Sequence, residues 1–182
     1  MKRFTLLLSL LAALSLVWAA SASAKVNLVR HENQYWTWYA PAGWVDAHSA
    51  NGIDVTSPTG TFHVGYGFSG WYQPVTHQDV INLLLQYGGL DSFPISNVVF
   101  TSLSQPFAFA GGQREILTWT AQRQGGPKIR GVVKIDVFND DASATYGFAT
   151  TSYDGPRRKW NDEKGLLARL SKLIFYHPQS PV

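Results

Sequence analysis

Apolar and polar residues alternate with a period of two through three consecutive segments, Gln113–Arg123, Lys128–Phe138 and Ala142–Tyr153. That period marks strands with one buried face. Leu117, Trp119 and Ala121 fall on one face of the first segment. Ile129, Val133, Ile135 and Val137 share a face of the second, and Tyr146 and Phe148 a face of the third. A three-residue loop at Gly125–Pro127 would pair Trp119 with Val133 and Leu117 with Ile135, with glycine supplying the left-handed residue. A two-residue turn at Asp140–Asp141 would pair Ile135 with Tyr146 and Val133 with Phe148, and a four-residue turn keeps the same parity. The expectation is an antiparallel meander. Its second face would carry Thr118, Thr120, Gln122, Arg130, Lys134, Thr145, Gly147, Ala149 and Thr151, either half solvated or covered by a helix.

Upstream, Tyr35–Tyr39 alternates and reads as the first strand, after an aperiodic lead-in over Lys25–Asn33. Pro41–Gly43 forms a turn. Ile53–Ser57 and Thr61–Phe68 form a hairpin about Thr59-Gly60, with Val55 opposite Val64 and Ile53 opposite Tyr66. Trp71, Tyr72 and Pro74 make a loop. Thr76 caps a helix through about Tyr87, with Val80, Ile81, Leu84 and Leu85 on its apolar side and Gly88-Gly89 at its end. Val98–Phe109 is a further strand region, broken at Pro106. Asp154 or Gly155 caps a last helix, with Pro156 near its first position. Trp160, Leu167, Leu170 and Ile174 form its buried stripe, and His177-Pro178 ends it.

The chain begins with Lys2-Arg3, an apolar run from Phe4 to Trp18, and small residues ending in Ala22-Ser23-Ala24. This is the pattern of a secretory signal peptide over residues 1–24, cleaved before Lys25. Of 182 residues, 158 would remain as one domain. Lys2 and Arg3 would leave with the peptide, reducing the formal charge from +3 to +1. A strongly basic nucleic-acid binder is not indicated. The chain has no cysteine, so neither disulfides nor thiol chemistry is available. A domain of this size buries roughly 70% of its unfolded surface and needs no covalent staple.

The segment Tyr39-Ala-Pro41-Ala-Gly43-Trp44 resembles the P-x-G-W entry of the PsbP-like family. The closing segment, with Trp160, Leu167, Leu170 and Ile174-Phe175, is similar as well. This chain looks more like the general bacterial exported branch than the photosynthetic one. The resemblance implies an α+β fold, an antiparallel sheet flanked by helices as an α/β/α sandwich, and roles in assembly and binding that are mostly non-catalytic. A shared fold lends little to a specific function.

Candidate chemistry is sparse. Asp46-x-His48 offers at most two metal ligands, and no H-E-x-x-H pattern occurs. His63 faces Thr56 across the hairpin with Asp54 diagonal to it, the outline of a hydrolase constellation that lacks a G-x-S-x-G elbow. Trp71 and Tyr72, in their loop, are candidates for partner contact. Arg157-Arg158-Lys159 opens the last helix against its dipole. The leading expectation is a secreted or periplasmic, non-enzymatic binding or accessory domain. No catalytic residue, metal or cofactor is assigned. Arg130, Lys134 and Gln122, with Trp71 and Tyr72, would contact a protein or anionic ligand, not nucleic acid, and no stable membrane span would remain after signal cleavage. A weak hydrolase using His63, or an envelope-anchored structural protein with an uncleaved N-terminal segment, are the alternatives.

Overall fold

A computed structural model describes residues 26–177. The signal-peptide expectation falls on residues 1–24 and lies outside the described residues. Eleven strands and two helices follow in the order β1 (Leu28–Glu32), β2 (Trp36–Pro41), β3 (Val45–His48), β4 (Gly52–Thr56), β5 (His63–Trp71), α1 (His77–Tyr87), β6 (Ile95–Ser102), β7 (Phe107–Phe109), β8 (Gly112–Arg123), β9 (Lys128–Asp140), β10 (Thr145–Pro156), α2 (Trp160–Leu170) and β11 (Ile174–Tyr176). The large sheet is antiparallel, in the order β3-β4-β5-β10-β9-β8-β6, with β7 also paired to β8. A small sheet, β1-β2-β11, lies apart from it. This is an α+β fold in which two helices pack on a large antiparallel sheet.

The period of two divides the large sheet into two faces. On the first face Leu117, Trp119, Ile129, Val133 and Ile135 pack against Val80 and Leu84 of α1. The helix starts at a reciprocal cap: the Asp79 amide donates to Thr76 Oγ1 at 3.1 Å, and the Thr76 amide donates to Asp79 Oδ2 at 2.9 Å. Such a cap contributes about 1 kcal/mol. On the second face Val64, Val132 and Tyr153 pack against Trp160, Leu167 and Leu170 of α2. Further along that face, Ile53 and Val55 meet Trp36, Trp38 and Ala40 of the small sheet. One helix therefore covers each face, and the small sheet completes the second.

The β4–β5 hairpin has the expected register, with Val55 opposite Val64 and Ile53 opposite Tyr66. The meander keeps the expected parity but not the expected pairs. Leu117 faces Val133 and Trp119 faces Gly131, because the three loop residues are Gln124, Gly125 and Gly126. The Arg123 amide closes this loop on the Pro127 carbonyl, and Gly125 takes the left-handed conformation at φ 64°. Thr150, not Tyr146, faces Ile135, since residues 141–144 form a four-residue turn.

Other departures reflect pairing that overrides local signals. The lead-in contains a strand, β1, paired with β2 along its whole length. Trp71 ends β5 rather than sitting in a loop. Leu85 is half exposed. Asp154, Gly155 and Pro156 do not cap a helix: they continue β10, and α2 begins only at Trp160. The same helix stops at Leu170, and Ile174 belongs to β11. The edge strand β6 shifts register between Ser96 and Val99, where Asn97 sits at φ 54°.

Candidate functional site

The structure gathers a basic cluster where the β8–β9 hairpin tip meets the end of β10. Arg130 faces Thr120 on one side and Gly155 on the other. The Arg157 amide donates to the Lys128 carbonyl at 2.9 Å, which fixes the start of the α2 segment beside the hairpin. Lys128, Arg130, Arg157 and Arg158 are all exposed, and none makes an ion pair with any described residue. Lys128, Arg157 and Arg158 line a groove of about 690 Å³ between Pro127 and Pro156. An adjoining depression of about 250 Å³ shares Lys128 and Arg157 and adds Thr120 and Gln122. At the α2 N-terminus Lys159 takes the cap position without a side-chain hydrogen bond, so cationic side chains and a positive helix end lie together.

Of the residues expected to contact a partner, Gln122 and Arg130 are diagonal neighbours at the basic end, and Lys134, Trp71 and Tyr72 lie away from them. Arg130 and Lys134 stand four positions apart on β9, roughly 13 Å along the strand. Lys134 is half buried with Nζ 5.9 Å from the Tyr153 ring centre, and burial first, then Arg114 and Lys172, lowers its pKa. Gln122 donates to the Gly126 carbonyl at 2.6 Å and the Arg123 carbonyl at 3.0 Å, so its amide braces the hairpin loop. Gly147 and Ala149 are buried, which closes the approach that small residues would have allowed on an open face. The covering is not α1, which lies on the opposite face: Ala149 pairs with Phe68, which packs on the small-sheet cluster. Trp71 pairs with Tyr146 at the far end of β10 from Gly155, and is half buried against Phe148. Tyr72 next to it is fully exposed.

His63 faces Thr56 with Asp54 diagonal to it, as the hairpin register predicts, but it is sealed from solvent. Its side chain is fully buried on the α1 face. Nδ1 lies 2.8 Å from Asp154 Oδ2, and Nε2 lies 2.8 Å from Asp54 Oδ1. Both carboxylates face ring nitrogens, so the ring is best satisfied as an imidazolium that donates twice. Burial pulls its pKa down, but the hydrogen bonds and charges of Asp154 and Asp54 outweigh it and push the value up to about 10. Asp154 is also fully buried, and that burial pushes it up to about 6 against the opposing pull of His63. At neutral pH the pair is ionised. A doubly donating, inaccessible imidazolium has no lone pair with which to act as a base.

Arg123 extends this network. Its guanidinium donates to both Asp91 oxygens, at 2.6 and 2.9 Å, to Asp154 Oδ1 at 3.2 Å and to the Gly60 carbonyl at 2.6 Å. Asp91 and Phe93 follow α1, and Phe93 lies beneath the guanidinium at 4.8 Å. Sequence reasoning found Asp54 beside His63 but missed Asp154, Arg123 and Asp91. The available signal was the continuation of β10 past Tyr153, which places Asp154 directly opposite His63. Elsewhere, Asp46 Oδ2 and His48 Nδ1 bond to each other at 2.6 Å.

No protein-family model and no curated protein matches the chain. Solved structures do resemble it. The cyanobacterial PsbP, CyanoP, of Synechocystis sp. PCC 6803 aligns over 86% of this chain and 96% of its own, at 10% identity and a TM-score of 0.46. LpqN of Mycobacterium tuberculosis, a protein involved in cell envelope biogenesis, aligns over 84% and 90%, at 14% identity and a TM-score of 0.45. The Ran-binding protein Mog1p of Saccharomyces cerevisiae aligns over 83% and 96%, at 9% identity and a TM-score of 0.39. These are structures of the PsbP/Mog1-like fold, and at such identities the likeness is one of chain path, not of ligand, partner or activity.

Proposed function

We propose that the protein is exported and acts as a non-enzymatic binding or accessory domain, with the basic end of the large sheet as its partner-facing surface. The observation that carries this reading is the group of four exposed cations, Lys128, Arg130, Arg157 and Arg158, without an ion pair among the described residues. Three consecutive cations immediately before a helix oppose its dipole, a local cost of about 0.3–1 kcal/mol each. Departures from local rules of this kind concentrate at functional surfaces. The partner is acidic. The burial of His63 and the occupation of both its nitrogens support a structural role for the residue that would otherwise serve a hydrolase.

No described helix is long and apolar enough to cross a membrane. The export part of the proposal is tested by sequencing the N-terminus of the protein from the extracytoplasmic fraction. It should begin at Lys25, whereas an intact Met1 would favour the anchored alternative. The binding part is tested by cross-linked capture from the same fraction with the wild-type chain and a Lys128→Ala, Arg130→Ala, Arg157→Ala, Arg158→Ala variant. Capture should weaken and lose most of its salt dependence. Unchanged capture by a folded variant rejects the surface.

A further inference from the structure

The α1 face of the large sheet is only partly covered. The helix lies over β8 and β9, and the chain after Gly88-Gly89 carries Asp91 and Phe93 across to Arg123. Beyond Gly89, the same face of β4, β5 and β10 holds a depression of about 360 Å³. Two cross-strand rows form its floor: Gly52, Gly67 and Thr150, then Asp54, Gly65 and Ser152. The glycines keep it open. A Cβ on Gly65 would stand 2.7 Å from Asp54 Oδ1, 3.0 Å from Ser152 Oγ and 3.1 Å from His63 Cε1. A side chain there would displace the carboxylate from the imidazolium.

Three oxygen-bearing groups line this space with unused capacity. The Asp54 side chain is 45% exposed, and among the described residues only its Oδ1 is engaged, by His63. Thr150 is 9% exposed and lines the depression, yet its hydroxyl has no hydrogen-bond partner among the described residues. Ser152 is 2% exposed and makes one long bond, 3.4 Å, to the Gly89 carbonyl. The Thr150 hydroxyl opens onto the depression, where a ligand would replace water as its partner. Charge then selects the ligand. Asp54, Asp91 and Asp154 against His63 and Arg123 leave one negative charge in excess, and Asp54 is the acidic member that reaches the opening. The balancing imidazolium is sealed behind it.

We propose that this depression binds a small primary amine that also carries a hydroxyl, with the ammonium over Gly65 between Asp54 and Ser152 and the hydroxyl toward Thr150. An ammonium has three donors and no acceptor, which matches a carboxylate oxygen and two hydroxyl oxygens. The site lies on the α1 face and does not depend on the basic end of the sheet. The same chemistry could come from a free amino alcohol or from an amino sugar, and the probes below separate these from a lysine-like chain, which lacks the hydroxyl.

The test is a two-dimensional amide NMR titration of the purified protein at constant ionic strength. The probes are ethanolamine, glucosamine, N-acetylethanolamine and n-butylamine. Ethanolamine or glucosamine should give saturable shifts centred on Gly65, Gly67, Thr150 and Ser152 below about 50 mM. N-acetylethanolamine, which lacks the charge, should give none. Equal binding of n-butylamine would assign the site to a lysine-like chain and overturn the hydroxylated ligand. Asp54→Asn keeps the Oδ1 acceptor for His63 and should weaken binding by roughly tenfold or more. If Asp54→Asn fails to fold, Thr150→Val alone should weaken ethanolamine while leaving n-butylamine unchanged. Absence of saturable shifts with both hydroxylated amines, or equal affinity of the wild type and a folded Asp54→Asn variant, overturns the proposal.

Discussion

Raising the pH should unfasten the buried His63 network, and the size of the effect follows from its geometry. In the unfolded chain His63 titrates near its ordinary value of about 6.5. In the folded protein Asp154 and Asp54 hold the proton on the ring until about pH 10. Between those limits the folded state carries one more proton than the unfolded state. The slope of unfolding free energy against pH is therefore negative. The stability from this group is complete below pH 6.5 and is lost as pH rises toward 10. At about 1.4 kcal/mol per pH unit, a rise from 6.5 to 9.5 removes on the order of 4 kcal/mol. That is a large share of the roughly 5–15 kcal/mol typical of a domain. Asp154, pushed up to about 6, is mostly ionised from pH 7 upward, so the effect of His63 is read between pH 7 and 9.5. Urea unfolding at half-unit pH steps measures it, with His63→Gln as the reference. The wild type should lose stability steadily, and the variant should lose far less. A flat wild-type profile between pH 7 and 9.5, or the same slope in both proteins, would refute the assignment of an imidazolium.

Three further predictions concern single groups. Asp154→Asn removes the carboxylate shared by two buried cations and should cost about 3–5 kcal/mol in urea unfolding at pH 7; a loss below about 1 kcal/mol would mean that Asp91 and Asp54 suffice. Gly131→Ala would drive a methyl group into the buried Trp119 indole across the strand pair and should cost about 1–3 kcal/mol, with a blue or red shift in tryptophan emission reporting the displaced ring. Thr76→Ala should cost about 1 kcal/mol and speed amide exchange in the first turn of α1, and unchanged exchange there would show that Asp79 alone holds the cap.

The elements that were legible in the sequence are those specified by neighbours in the chain. Thr76 to Gly88 contains its own start, apolar stripe and stop, and α1 follows it closely. The Val55–Val64 pairing follows from a short turn that brings two alternating segments together. Alternation also gave the parity of the meander, since shifts of two or four residues leave every side chain on its face. For that reason it could not distinguish a loop at Gln124–Gly126 from one a residue later. The closing stretch misled because Asp154-Gly155-Pro156 reads locally as a helix entry, while pairing with Gly131, Arg130 and Ile129 holds it as strand. The His63 network was half visible for a similar reason. Asp54 is nine residues from His63, but Asp154 is 91 away and Arg123 joins through three-dimensional packing alone. The basic end likewise depends on Lys128 and Arg157 meeting through one backbone hydrogen bond.

The shift in β6 has a consequence for how molecules of this protein meet one another. An open sheet offers a row of free amides and carbonyls along each border, and a flat, regular border is a template for another chain. One border here is β3, only four residues long. The other, β6, is interrupted between Ser96 and Val99 by a residue with φ of 54°. No long stretch of either border keeps an even spacing onto which a second copy could zip. Val99 is nevertheless 60% exposed there, so straightening the strand would present an apolar, evenly spaced ribbon. The irregularity thus acts as a guard against fibril-like stacking, in a protein whose many strands would otherwise make it prone to such growth.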